Sequence, residues 1–139
     1  MRLEISLLGA AVILMWGLWG FLYKYGIDRL GLFRALFVTN IVYMLSNFAI
    51  LAYLYSRGVN LPFSQPAALL ALGTLMGVAA SLLFMFALER YPGSIVIPLT
   101  ALYPAVSAVL AVLILGERIK AENAAGIALA IVAGYLLTR

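Results

Sequence analysis

Two groups of polar side chains recur at helical spacing inside long apolar runs. Asn40, Tyr43 and Asn47 fall at i, i+3 and i+7, with Thr39 and Ser46 beside them, and Thr100, Tyr103 and Ser107 repeat the pattern. Each group lies on one face of a helix, and so do Trp16, Trp19, Gly20 and Tyr23. The available chemistry is neutral: carboxamide and hydroxyl hydrogen bonds, and aromatic faces that pack on apolar groups or hold a cation over the ring. Two carboxamides on one stripe cannot face hydrocarbon without cost. They meet either a solute or water, or a second helix, where each is worth about 0.6–2 kcal/mol as interhelical glue. Trp16 lies too deep in its run for an interfacial belt, which leaves a packing aromatic or the wall of a solute pocket.

What the chain lacks narrows the chemistry further. It has no Cys and no His, so no disulfide framework, no thiolate or imidazole metal site and no pH-7 proton carrier. No metal or cofactor is expected. Glu4, Glu89, Glu117 and Glu122 stand at the ends of apolar runs or in the joints. Without a paired intramembrane carboxylate, an enzyme is not expected either. A pocket of this kind suits neutral or zwitterionic metabolites, or cations held against aromatic rings.

These residues must be positioned by elements that live in lipid. Of 139 residues, 66% are hydrophobic and 10% charged, with a mean hydropathy of +1.13. A soluble domain carries roughly 25% charged residues, so membrane lipid is the solvent. The net charge of +4 is spread over joints and helix ends, which points to lipid contact and not to nucleic acid. Five apolar segments, approximately 4–23, 33–55, 66–88, 94–115 and 121–138, are each long enough to cross. The joints at 24–34, 57–65, 89–93 and 116–120 are too short to hold a domain. The first run is too long for a signal peptide and should stay in the membrane. The expected fold is an all-α integral membrane protein, a single five-helix bundle over 1–139, because only helices satisfy their own backbone in lipid.

Within that bundle the fourth segment should be bent or broken. Pro98 and Pro104 free backbone carbonyls and mark it as a hinge that faces protein. Gly73, Gly77 and Ser81 form a small-residue ridge on the third helix, and Gly126, Ala130 and Gly134 form one on the fifth. The first reads as a helix-packing surface and the second as a packing or dimer surface. Lys24 reads as a snorkelling anchor at the exit of the first helix.

Five spans place the two termini on opposite sides. Arg2, Arg57, Arg118 and Lys120 then oppose Lys24, Arg29, Arg34, Arg90 and Arg139, which gives no charge bias for one orientation. A chain without preference can insert both ways, so the expected partner is a second copy. An antiparallel homodimer would supply the inverted pair that alternating access requires.

The run IVIPLTALYPAVSAVLAVLILGERIKAENAAGIALAIVAGYLL resembles the closing half of an EamA-type domain of the drug/metabolite transporter superfamily. MWGLWGFLYKYG resembles that domain's opening Trp-Gly segment with the lysine after it, and FRALFV its second helix. The likeness covers nearly the whole chain. It is most specific at Pro98, Pro104 and the corner Leu115-Gly116-Glu117-Arg118. Most members carry two such domains in inverted tandem, so this chain resembles the half-size five-helix type of bacterial and archaeal plasma (inner) membranes. The resemblance implies transport of small metabolites or drugs through a central cavity. It also separates the chain from the four-helix small multidrug resistance relatives, whose essential helix-1 glutamate is matched here by Trp16. At the start of the last helix, Lys120 stands where the family often has a Ser or Thr cap.

The function expected is a secondary transporter of small metabolites or drug-like solutes, acting as a dimer. Trp16, Asn40, Tyr43, Asn47, Thr100, Tyr103 and Ser107 are the expected substrate-binding residues. The alternative is a non-transporting membrane subunit that stabilises a partner membrane protein, with the polar stripes as glue.

Overall fold

The computed structural model describes residues 2–137, without the side chains at 2, 3 and 5. The predicted helix end at 138 and the charges at 2 and 139 lie outside what it describes. Among the described residues the secondary structure is entirely helical: α1 (Arg2–Leu30), α2 (Leu32–Ser56), α3 (Gln65–Arg90), α4 (Gly93–Thr100), α5 (Tyr103–Leu115) and α6 (Ala121–Leu137). Four stretches are long and apolar enough to cross a membrane, the fourth being Gly93–Leu115, which contains both α4 and α5. The 17 residues of α6 are at the lower limit of a crossing length. The expected single domain contains two compact units, Met1–Arg90 and Tyr91–Arg139.

In the first unit, α1 touches both α2 and α3, and α2 touches α3. The joint expected at 24–34 is not a loop. Helix α1 runs through Lys24 to Leu30, and only Gly31 separates it from α2. The stretch from Lys24 to Leu30 has no proline, and its one glycine, Gly26, does not end the helix. Charge at Lys24, Asp28 and Arg29 is no obstacle, because helix propensity is indifferent to whether a helix has left the apolar core. Gly31 makes the reversal with φ 80 and ψ 158, a backbone conformation open essentially to glycine alone. Its N–H donates to Ile27 O at 2.8 Å and its carbonyl accepts from Ala35 N at 3.1 Å, which joins the last turn of α1 to the first turn of α2.

The buried side chains of this unit gather at the end next to that turn. Ile27 from α1, Leu32 and Ala35 from α2, and Met85 and Leu88 from α3 are its core. The opposite ends of the same helices remain exposed, at Ile13, Phe48 and Leu70 among others. In membrane helices such surface is stable against acyl chains or a second protein.

In the second unit, the apolar run breaks between its two prolines, at Ala101 and Leu102. Pro98 sits inside α4 and Pro104 in the first turn of α5. Neither has an N–H, so the carbonyls of Ser94 and Thr100 lose their ordinary helical donors. Local bonds hold the break: Ala101 N donates to Ile97 O at 3.0 Å and Ala105 N to Leu102 O at 3.0 Å. Leu102, at the break, fills the notch at Gly134 of α6, where a Cβ would collide with Leu102 Cδ1. At the far end of α5, Gly116 adopts the left-handed conformation with φ 67, and Glu117 N returns to Ala111 O at 3.3 Å. That geometry explains the glycine in the Leu-Gly-Glu-Arg corner. Lys120 stands before α6 and contributes only its backbone carbonyl, which accepts from Asn123 N and Ala124 N at 3.0 Å each. A lysine side chain has no acceptor with which to cap the free N–H groups.

Candidate functional site

The seven residues expected to bind a solute divide between the units. Trp16, Asn40, Tyr43 and Asn47 belong to the first; Thr100, Tyr103 and Ser107 belong to the second.

On α1, Trp16 lies midway along the 29-residue helix, about 21 Å from either end at 1.5 Å per residue. It is more than half exposed. Trp19, one turn on, is turned inward instead: it stacks on Phe84 of α3 with centroids 5.3 Å apart, and Tyr23 leans on it at 4.3 Å. The Tyr23 hydroxyl donates to the Tyr43 hydroxyl at 3.1 Å, joining α1 to α2. A chain of rings and hydroxyls therefore runs Phe84–Trp19–Tyr23–Tyr43 across all three helices. Of these four, sequence reasoning proposed only Tyr43 as a binding residue. Tyr23 shares a helical face with Trp16 and Trp19, and that spacing was the signal for Trp19 and Tyr23; no spacing marked Phe84.

Most of the polar groups on α2 and α3 fold back onto their own helix. Asn40 Nδ2 donates to Leu36 O at 2.8 Å and Thr39 Oγ1 to the same carbonyl at 3.0 Å. On α3, Thr74 bonds Leu70 O and Ser81 bonds Gly77 O, each at 2.9 Å. Local bonding of this kind satisfies a polar side chain inside an apolar medium without help from a neighbour. No hydrogen bond therefore ties Asn40, Thr74 or Ser81 to another helix of the unit among the described residues, whereas Thr39 also interacts with the Tyr23 hydroxyl of α1. Asn47 differs. It is exposed on α2, and its carboxamide has no hydrogen-bond partner among the described residues.

In the second unit the expected single-helix stripe is interrupted. Thr100 ends α4, Tyr103 begins α5, and the break at 101–102 lies between them; the i, i+3 relation holds only in an unbroken helix. Thr100 Oγ1 lies 2.8 Å from Val96 O and 3.1 Å from Ile97 O. Ser107 Oγ points back to Tyr103 O at 3.4 Å. An open apolar groove of about 490 Å³ runs beside α5 and α6, lined by Leu102, Val106, Val109, Ile131 and Tyr135 among others. Thr100, Tyr103 and Ser107 are not among its lining residues.

The packing glycines behave differently from one another. Gly134 receives Leu102, whereas a Cβ at Gly73, Gly77 or Gly126 would meet nothing within 4 Å. The ridge of α3 thus has the shape for close helix approach and no helix against it in its unit.

Lys24 is no free anchor. Its ammonium donates to Asp28 Oδ1 at 2.7 Å and to the carbonyl of Leu88 on α3 at 2.9 Å. Arg29 lies over the Tyr25 ring at 5.5 Å and Arg57 over Tyr53 at 5.7 Å, placing a cation on an aromatic face near the ends of α1 and α2. No cluster of potential metal ligands occurs among the described residues.

The family model described as the EamA-like transporter family matches residues 3–139. No curated protein and no solved structure matches the chain.

Proposed function

Since the chain belongs to the EamA-like transporter family, and is an integral membrane protein with four long apolar spans and a shorter apolar helix, we propose that it is a secondary carrier of small metabolites or drug-like solutes. It acts as a homodimer by alternating access, in the plasma membrane of a bacterium or archaeon. The observation that carries this reading is Asn47. An exposed carboxamide without a partner, well inside a 25-residue apolar helix, cannot be left to hydrocarbon at small cost. A hydrated solute path supplies what the carboxamide lacks. Tyr43, half exposed beside it, offers an aromatic face and a hydroxyl, which suits neutral, zwitterionic or cationic solutes better than anions.

The Gly73–Gly77 ridge supports the second copy. It is a close-approach surface with nothing on it, and two such ridges can bring backbones together without a polar contact. A dimer of opposed copies fits the balanced charges of the joints.

The test is flux in proteoliposomes across a panel of radiolabelled metabolites. Asn47→Leu and Tyr103→Ala each lower flux about tenfold or more, as loss of one desolvated hydrogen-bonding group predicts, while the dimer persists in detergent. If the purified protein moves no member of the panel and Asn47→Leu instead dissolves the assembly, Asn47 is glue. The alternative, a subunit stabilising another membrane protein, then takes over.

A further inference from the structure

We infer that Lys24 is a latch: it clamps α1 to the end of α3, and that end of the three-helix unit opens only when the ammonium lets go. The purpose of the latch rests on the carrier reading above; its geometry does not.

Helix α3 ends at Arg90, and in a continuing helix the carbonyl of Leu88 would take its bond from the N–H of position 92. That position is Pro92, which has no N–H. Leu88 is 0% exposed, so water does not reach this residue to supply the missing donor, and a buried unpaired carbonyl is costly. Lys24 Nζ supplies it at 2.9 Å. The same ammonium holds Asp28 Oδ1 at 2.7 Å, four residues along α1. A cation at the negative end of a helix is favourable in its own right, and Asp28 makes the group neutral as a whole.

The same end of the unit holds its other buried side chains, Ile27, Leu32, Ala35 and Met85. The hydroxyl bond from Tyr23 to Tyr43 is made by the residue just before Lys24, and the stack of Trp19 on Phe84 lies five residues before it on α1. The other ends of the same three helices show no such core among the described residues: Ile13 and Phe48 are each 71% exposed and Leu70 is 74% exposed. A lysine suits a closure that must release, because its ammonium sits on a flexible stem and is strongly hydrated when free. It also lies within about two turns of the end of α1, close enough to reach water when α3 moves away.

The chain has no cysteine, so single cysteines report opening without background. Ile27→Cys, 3% exposed in the native chain, is labelled in proteoliposomes with a membrane-impermeant maleimide. With Lys24 present, labelling is slow. In Lys24→Met it accelerates about tenfold or more, the expected consequence of losing a hydrogen bond from a charged group. Lys24→Arg, which keeps a cation and its donors, stays slow, and Asp28→Asn falls between. Ala105→Cys, buried in the other unit, serves as the control and keeps its rate in every background. Equal labelling of Ile27→Cys with and without the Lys24 ammonium overturns the latch. So does acceleration at both cysteines, which would make Lys24 a general structural pin. Solute flux measured on the same vesicles separates the two ideas. Ammonium-dependent labelling without flux leaves the latch and removes the carrier; flux with unchanged labelling does the reverse.

Discussion

A few side chains carry most of what can be tested at the scale of the residue. Tyr43 is held by Tyr23, so Tyr43→Phe removes one hydroxyl pair and should cost about 0.5–1.5 kcal/mol of stability, read as a lower unfolding midpoint in detergent. Tyr23→Phe should cost at least as much, because Trp19 and Thr39 also interact with its hydroxyl. The double variant should lose no more than Tyr23→Phe alone, and a double-variant cycle measures that coupling. Gly31 is the sharper case. Its φ of 80 with ψ of 158 is closed to side chains, so Gly31→Ala should cost about 1–3 kcal/mol although a Cβ there meets no atom within 4 Å. The penalty is conformational, and enlarging a neighbouring space would not relieve it. Asn47→Leu should raise stability or leave it unchanged while flux falls, because the carboxamide has no partner among the described residues to lose.

At the scale of the element, the break between α4 and α5 and the notch on α6 belong together. Leu102 lies at the break and fills the space left by Gly134. Gly134→Ala displaces only the end of a flexible leucine and should be mild. Gly134→Val must push the whole side chain aside and should cost about 1–3 kcal/mol, the usual penalty for overpacking; thermal unfolding in detergent tells the two apart. Pro104→Ala restores an N–H to the first turn of α5 and removes one reason for the break. If the break is a hinge for transport, that variant should slow flux with little change in solute affinity, a KM-against-kcat split. A packing-only role for the break would leave flux untouched.

The whole molecule raises the question of what covers the surfaces left over within each unit. Its family makes it transporter-like, and its helices place it in a bilayer. The bare ridge of α3 is where we propose that a second copy packs. Gly77→Leu should fill that ridge and shift the protein from dimer to monomer in cross-linking, while Ser81→Ala, whose hydroxyl is already spent on Gly77 O at 2.9 Å, should leave assembly unchanged. Gly73→Cys chains should oxidise to a covalent dimer if the ridges face each other closely.

How much of this was readable beforehand depends on the range of the interaction. Composition alone determined the solvent, because a 66% hydrophobic chain has too little polar surface to face water. Run length and period then determined that the elements are helices and roughly where each lies. Local stereochemistry is written in the residues themselves: two prolines six apart demand a break, and the glycine of the Leu-Gly-Glu-Arg corner permits a left-handed stop. Tertiary structure alone decided which groups meet. Lys24 reads as a lipid anchor until α3 is beside it, and the orphan carbonyl four residues before Pro92 is visible in the sequence without showing which donor fills it. Likewise the polar stripes do not announce whether they bond outward or back to their own helix, since a hydroxyl four residues from a carbonyl can do either. Periodicity reports the face of a helix; only packing reports what stands opposite that face.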